Sequence, residues 1–143
     1  MTLYRNFDPG RISMIWNSVQ IQGLGPDTFV KCVRNEDAFN QVVGAQGDVV
    51  DVRNRNRSGL VTFTVLDASP TNDFLTILAL ADELTGLGFG ALMIKDLNGT
   101  TLIKSAAARI KKFPDIEFAK DGGTNDWVLQ CAEIEFFVGG SAI

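Results

Sequence analysis

Gly59-Leu60-Val61-Thr62-Phe63-Thr64-Val65-Leu66 alternates along an extended chain, with Val61, Phe63 and Val65 on one side and Thr62 and Thr64 on the other. Such a segment is a strand with one buried face and one polar face, as in an antiparallel sheet. Shortly after it, Ser69-Pro70 opens the one clear helix. Serine is a favoured cap, proline suits the first helical position, and Asp73 complements the positive N-terminal end. Phe74, Ile77, Leu78, Ala81 and Leu84 recur at helical spacing, which predicts that this side packs on a sheet, and Gly86, Gly88 and Gly90 end the helix.

Working outward, strand signals recur without any strand-helix alternation. Ile12 to Gln22 reads as one strand closed by Gly23 to Pro26, and Thr28 to Arg34 as a second that forms a hairpin with it. Phe39 to Val43 is a third apolar stretch. Ala91 to Leu97 and Thr100 to Ser105 flank Asn98-Gly99, a strong hairpin signal that predicts a type I′ turn with positive φ at both central residues. Ala106 to Phe113 suits a helix or a strand, and the alternation of Ala106, Ala108 and Ile110 with Arg109 and Lys111 favours a strand. Pro114 to Ala119 and Trp127 to Val138 form the last pair, with Ala132, Ile134, Phe136 and Val138 predicted on one face and Leu129, Cys131, Glu133 and Glu135 on the other. The sum is a mainly β fold with one α-helix: an antiparallel β-barrel or sandwich with a flanking helix and a long extended arm.

A length of 143 residues fits a single domain spanning 1–143, with an N-terminal arm at 1–11 and an extended arm or loop at 44–59. Apolar residues make up 45% of the chain, ten of them Phe, so a lone subunit would leave apolar surface exposed and oligomerisation would hide it. The net charge of −4, with scattered cations, argues against tight nucleic-acid binding, because phosphate neutralisation supplies most non-specific affinity. There is no histidine, which removes the commonest general base and metal ligand and leaves only carboxylate or lysine chemistry. Cys32 and Cys131 lie in separate apolar runs and read as buried free thiols. The opening Met1 to Phe7 lacks a basic region followed by an apolar stretch, and no uncharged apolar run matches a membrane span. A protein made and kept in a cytoplasm is expected.

No motif carries strong chemistry. Gly86-Leu87-Gly88-Phe89-Gly90 follows a helix instead of joining a strand to one, so helix termination accounts for it better than a dinucleotide loop. Asp115 with Glu117, and Glu133 with Glu135, sit at strand spacing and could form an acid-base or cation pair, yet a solvated or pore-facing edge is the simpler reading. Arg53, Arg55 and Arg57 alternate with Asn54 and Asn56, so an extended chain would project three guanidinium groups to one side. A solvated loop, docking onto carboxylates of a neighbouring subunit, and nucleic-acid contact all remain open for them. Gly44 to Gly59 is too long and polar for a mere turn, yet Val49, Val50 and Val52 favour a strand, and a two-stranded arm is marginal in water, so a neighbouring subunit is its natural support.

Taken together, Ile12 to Gly23, the arm Gly47 to Asn56, Gly59 to Leu66, Ser69 to Asp73 and the Asn98-Gly99 hairpin resemble, in order and length over nearly the whole chain, the small single-domain tail-tube proteins of contractile-tailed bacteriophages. The architecture is also similar to the inner-tube proteins of type VI secretion systems. The resemblance implies a β-barrel-like virion subunit that is not an enzyme, has no cofactor and no metal, and assembles with itself. Six copies would close a ring, and rings would stack into a conduit for DNA ejection inside a sheath. It further implies sheath, baseplate or tube-initiator and tape-measure proteins as partners, DNA passing without specific binding, no membrane insertion, and assembly in the host cytoplasm. Contacts between subunits and rings are expected at Tyr4, Phe7, Val49, Val50, Val52, Arg53, Arg55 and Arg57, and the lumen is expected to be faced by Glu117, Glu133 and Glu135. Two rivals stay open: a type VI-like tube passing effectors, and a small-molecule-binding barrel working through Asp or Glu.

Overall fold

The computed structural model describes residues 7–140. After a 3₁₀ turn at Pro9–Arg11 the elements are β1 (Ile12–Trp16), β2 (Val19–Gln20), β3 (Val30–Arg34), β4 (Phe39–Val43), β5 (Val49–Arg53), β6 (Gly59–Leu66), α1 (Thr71–Thr85), β7 (Gly90–Asp96), β8 (Leu102–Lys112), β9 (Thr124–Cys131) and β10 (Glu135–Phe137). Eight strands form one antiparallel sheet in the order β2-β1-β7-β8-β9-β6-β3, with β10 on β8, and β4 and β5 make a separate two-stranded ribbon. Fold class is therefore as expected: mainly β, antiparallel, with one helix. The sheet is sandwich-like and not a closed barrel. Its open ends are tied by segment 21–25, where Ile21 donates its amide to Met14 O on β1, Gly25 donates to Thr64 O, and Leu66 donates to Gly23 O.

β6 shows why the alternation decides the fold. Val61, Phe63 and Val65 are fully buried, and the strand pairs along its whole length with β9, from Gly59↔Cys131 to Leu66↔Thr124. The core gathers Met14 and Trp16 of β1, Leu92 and Ile94 of β7, Trp127, Leu129 and Cys131 of β9, and Leu75 of the helix around those three residues. Both indoles are buried with their N–H groups satisfied: Trp16 Nε1 donates to Ala108 O at 3.0 Å, and Trp127 Nε1 donates to Asn72 Oδ1 at 3.0 Å.

Several sequence expectations shift. Ile12 to Gln22 is not one strand but a hairpin of its own, closed by Asn17 (φ 52°) and Ser18 (φ 66°) between the paired residues Trp16 and Val19. Positive φ at both central residues is the type I′ signature, and it belongs here and not at Asn98-Gly99. The Asn17 side chain fills the space where a Cβ at Gly90 would stand, so any larger residue there would have to displace it. The β7–β8 hairpin does form, but through a wider loop in which Asn98 N donates to Asp96 Oδ1 at 3.0 Å and Gly99 N to Asp96 O at 3.1 Å. β3 pairs with β6 and not with the opening strand. Thr100 to Ser105 and Ala106 to Phe113 merge into one long strand, β8, whose edge is shared by β9 over 108–112 and β10 over 102–104. Pro114 to Ala119 is not a strand. The last strand is broken at 132–134, so Trp127, Leu129 and Cys131 face the core, Ile134 is buried within the break, and Phe136, Phe137 and Val138 are left at the surface.

The helix carries two apolar stripes, and the sequence reading merged them. The inner stripe is Leu75, in the core, with Phe74 and Leu78 packed against it and Ala79 buried beside them. Ile77, Leu80, Ala81 and Leu84 form an outer one, with Ile77 and Leu84 exposed to 68% and 88%. At its N-terminus Ser69 Oγ accepts the Thr71 amide and donates to Gln22 O, while Gly86 (φ 71°) ends the helix in the left-handed conformation.

Asn72 joins helix, turn and sheet. Its Nδ2 donates to the carbonyls of Leu66, Asp67 and Ser69, and its Oδ1 accepts from Trp127 Nε1 and Asn125 Nδ2. Replacing it by alanine strands the buried indole N–H, so Asn72→Ala should cost about 2–3 kcal/mol, read as a lower midpoint in urea with an unchanged slope.

Cys32 and Cys131 are free, as expected. Burial, then the neighbouring Cys131, pushes the Cys32 thiol up to about 11. A thiol that holds its proton longer when folded favours the folded state fully below its ordinary value of 9.0, and this contribution is lost as pH rises towards 11. The urea midpoint should therefore fall as pH rises from 9.0 towards about 11, and Cys32→Ala should flatten that fall.

Candidate assembly interface

All ten residues of β4 and β5 are exposed, and among the described residues each strand pairs only with the other. The register runs Phe39↔Arg53, Asn40↔Val52, Gln41↔Asp51, Val42↔Val50 and Val43↔Val49. Directly opposed residues share a face, so Val42, Val50 and Val52 lie together with Asn40 on one side of the ribbon. The other side carries the Phe39–Arg53 and Gln41–Asp51 pairs and, at the tip, Val43 with Val49. Both faces and both outer edges are thus open to a partner. The arm is longer than the expected 44–59 because Phe39 to Val43 supplies its first strand.

A polar neck joins the arm to the body. Asn35 N donates to Ser58 O at 3.1 Å, Asn35 Nδ2 to Ser58 Oγ at 2.9 Å, and Asn54 Nδ2 to Glu36 Oε2 at 2.6 Å. Asn54 and Asn56 accept the amides of Asn56 and Ser58 in two consecutive Asx turns. β5 ends at Arg53 and residues 54–58 form no strand, so the three arginines do not share one paired strand edge. Arg53 lies in β5 and Arg55 in the neck, neither with an ion-pair partner among the described residues. Arg57 is committed within its own chain, with Nη1 at 2.9 Å from Glu133 Oε1.

Other apolar surface clusters at three places. One is the outer helix stripe, continued by Leu87. A second is the coil after β8, where Ile116 is exposed and Phe118 stands 97% in solvent. The third is Phe137 and Val138 beside Phe136. Phe7 is also exposed and borders a groove with Ile12, Phe29, Ile103 and Phe136. Tyr4 lies outside the described residues.

The carboxylates do not build a reaction centre. Asp115 and Glu117 sit in coil and not at strand spacing, beside Asp126 across a surface groove. Glu133 and Glu135 border one groove with Met93 and Lys104, but Glu133 pairs with Arg57, and Glu135 Oε2 lies 3.5 Å from Lys104 Nζ. Among the described residues no group of His, Cys, Asp or Glu could hold a metal ion, and no helix is long and apolar enough to cross a membrane. Sequence reasoning missed the outer helix stripe and the 136–138 cluster as surfaces. The i, i+3, i+4, i+7 spacing of Ile77, Leu80, Ala81 and Leu84 was a signal that could have found the first.

Comparison with known proteins agrees with a surface built for assembly. The structural protein ORF10 of Pseudomonas phage KPP10 is 29% identical, the match covering 94% of this chain and 83% of that protein. Among solved structures, the tube-terminating cap of the anti-feeding prophage superposes with a TM-score of 0.68 at 10% identity, over 96% of this chain and 94% of that one. The sheath/tube terminator of the extracellular contractile injection system PVC gives 0.63 at 10% identity, over 96% and 100%, and the sheath-tube complex of that system 0.59 at 12%, over 96% and 93%. Residues 14–139 match the family described as the bacteriophage PhiTE tail tube protein, and the chain belongs to that family of phage structural proteins, which are not enzymes.

Proposed function

We propose that the chain is the repeating subunit of a hollow phage tail tube, a virion component in which six copies close each ring and rings stack into a conduit for DNA inside a contractile sheath. The observation that carries this reading is the free-standing β4–β5 ribbon, exposed on both faces and both edges, which needs a neighbour to persist. In this reading Val49, Val50, Val52, Arg53 and Arg55 contact the next ring, Tyr4 and Phe7 contribute to the same junction, and Arg57 holds the arm's foot. The family match to a phage protein favours DNA over secreted effectors as cargo. The contractile systems named among the structural neighbours support a surrounding sheath, and a tube initiator at the baseplate and a tape-measure protein are the further partners this role calls for.

Glu117, Glu133 and Glu135 are proposed to face the lumen. Pairing of Glu133 with Arg57 and of Glu135 with Lys104 cancels two cations that would otherwise grip phosphates. A wall without surplus cations lets DNA, with about one negative charge per 1.7 Å of axis, slide through.

Purified subunit at high concentration should give rings or tubes in negative stain, and a monodisperse monomer would overturn the reading. Two double variants probe the arm. Val42→Asp with Val50→Asp charges its apolar face, and Arg53→Glu with Arg55→Glu reverses its unpaired cations. Each should shorten or abolish tubes while changing the stability of the body by no more than about 0.5 kcal/mol, because the altered side chains belong to the ribbon and its neck and none lies in the core.

A further inference from the structure

The ribbon leaves the sheet at the paired residues Arg34 and Gly59, and beyond that point the segment after β9 ties both of its legs. Its two legs are β3, ending at Arg34, and the chain entering β6 at Gly59. Ile134 sits between them and is tied to both. Its amide donates to Arg57 O at 2.9 Å, and its carbonyl accepts both Arg34 Nη2 at 2.8 Å and Arg34 Nε at 3.3 Å. Its side chain is fully buried, and a Cβ on Gly59 would meet Ile134 Cγ2 at 2.5 Å and Val33 O at 2.6 Å, so the two legs and the plug close on one another only because Gly59 has no side chain. The residues on either side add a second layer: Glu133 pairs with Arg57, and the Arg34 guanidinium lies 5.8 Å from the centre of the Phe136 ring.

We propose that Arg34 and Ile134 are positioning residues that clamp the foot of the β4–β5 arm, so that the C-terminal segment fixes the angle at which the arm meets its neighbour. The proposal rests on the reading of the arm as a ring-to-ring contact. Without the clamp, the legs beyond the last sheet pair, Arg34 with Gly59, keep the Asn35–Ser58 hydrogen bonds that join them to each other but lose their ties to the segment after β9, and the arm pivots as a unit about that pair.

The test uses nitroxide labels on unnatural keto side chains at Gln46, in the arm tip, and Glu83, on the exposed side of α1, with the distance distribution measured on unassembled subunits. Arg34→Gln combined with Arg57→Gln should at least double the width of that distribution, with Arg34→Lys falling between parent and double variant, while far-UV circular dichroism and amide exchange of β1, β7 and β9 stay unchanged. Should the double variant lose its fold, Arg57→Gln alone, which alters a half-exposed side chain, should still broaden the distribution by a smaller factor. A distribution as narrow as the parent's in these variants would overturn the clamp. Broadening with shortened tubes supports both ideas, and broadening with tubes of undiminished length would leave the clamp standing and overturn the stacking role of the arm.

Discussion

A two-stranded ribbon with water on both faces gains too little from its cross-strand pairs to stay ordered alone. In this chain that ribbon is built from β-branched residues, three of them aligned on one side, and is held away from a well-packed body. The body is self-sufficient: two satisfied indoles, a strand, β6, paired along its whole length with β9, and a helix seated on the core. Everything incomplete about the molecule is concentrated in the arm and in the apolar residues left on its surface. A tube subunit needs that division, because the body must keep its shape while other parts find their order only against copies of the same chain.

Much of the body was legible because local patterns and global packing agree there. The alternation from Gly59 to Leu66 gave the strand and its buried face, and Ser69-Pro70 with Gly86 bounded the helix. Where the reading failed, a competing local effect won. Asn17 and Ser18 accept a tight turn in the middle of what looks like one continuous strand, a tolerance that asparagine has and most residues lack. After Cys131 the chain leaves the pleat to bury Ile134, which shifts the parity of everything beyond it. On the helix, two apolar stripes share one turn pattern, and spacing alone cannot say which stripe faces inward.

The interface was only partly legible. The valines of β5 stood out as an unsupported strand, but their partner β4 was not joined to them, so the arm was drawn too short. The arginines are divided between strand and neck, because β5 stops at Arg53 and the Asn54 and Asn56 side chains bond the backbone amides that follow them. Arg57 then meets Glu133, seventy-six positions away, a pairing that only the fold could bring together. A surface ion pair between half-exposed groups contributes little to stability. Its consequence here is positional: it joins the arm's foot to the segment that plugs it.

The outer stripe of α1 has a consequence for the chain before it is incorporated. Ile77, Leu80 and Leu84 form a greasy ridge that no part of the described subunit covers. A freshly made molecule therefore carries adhesive patches on its helix as well as on its ribbon, and crowded molecules of this kind stick in unproductive ways. Covering that ridge in an assembly would therefore remove a liability that a free copy carries.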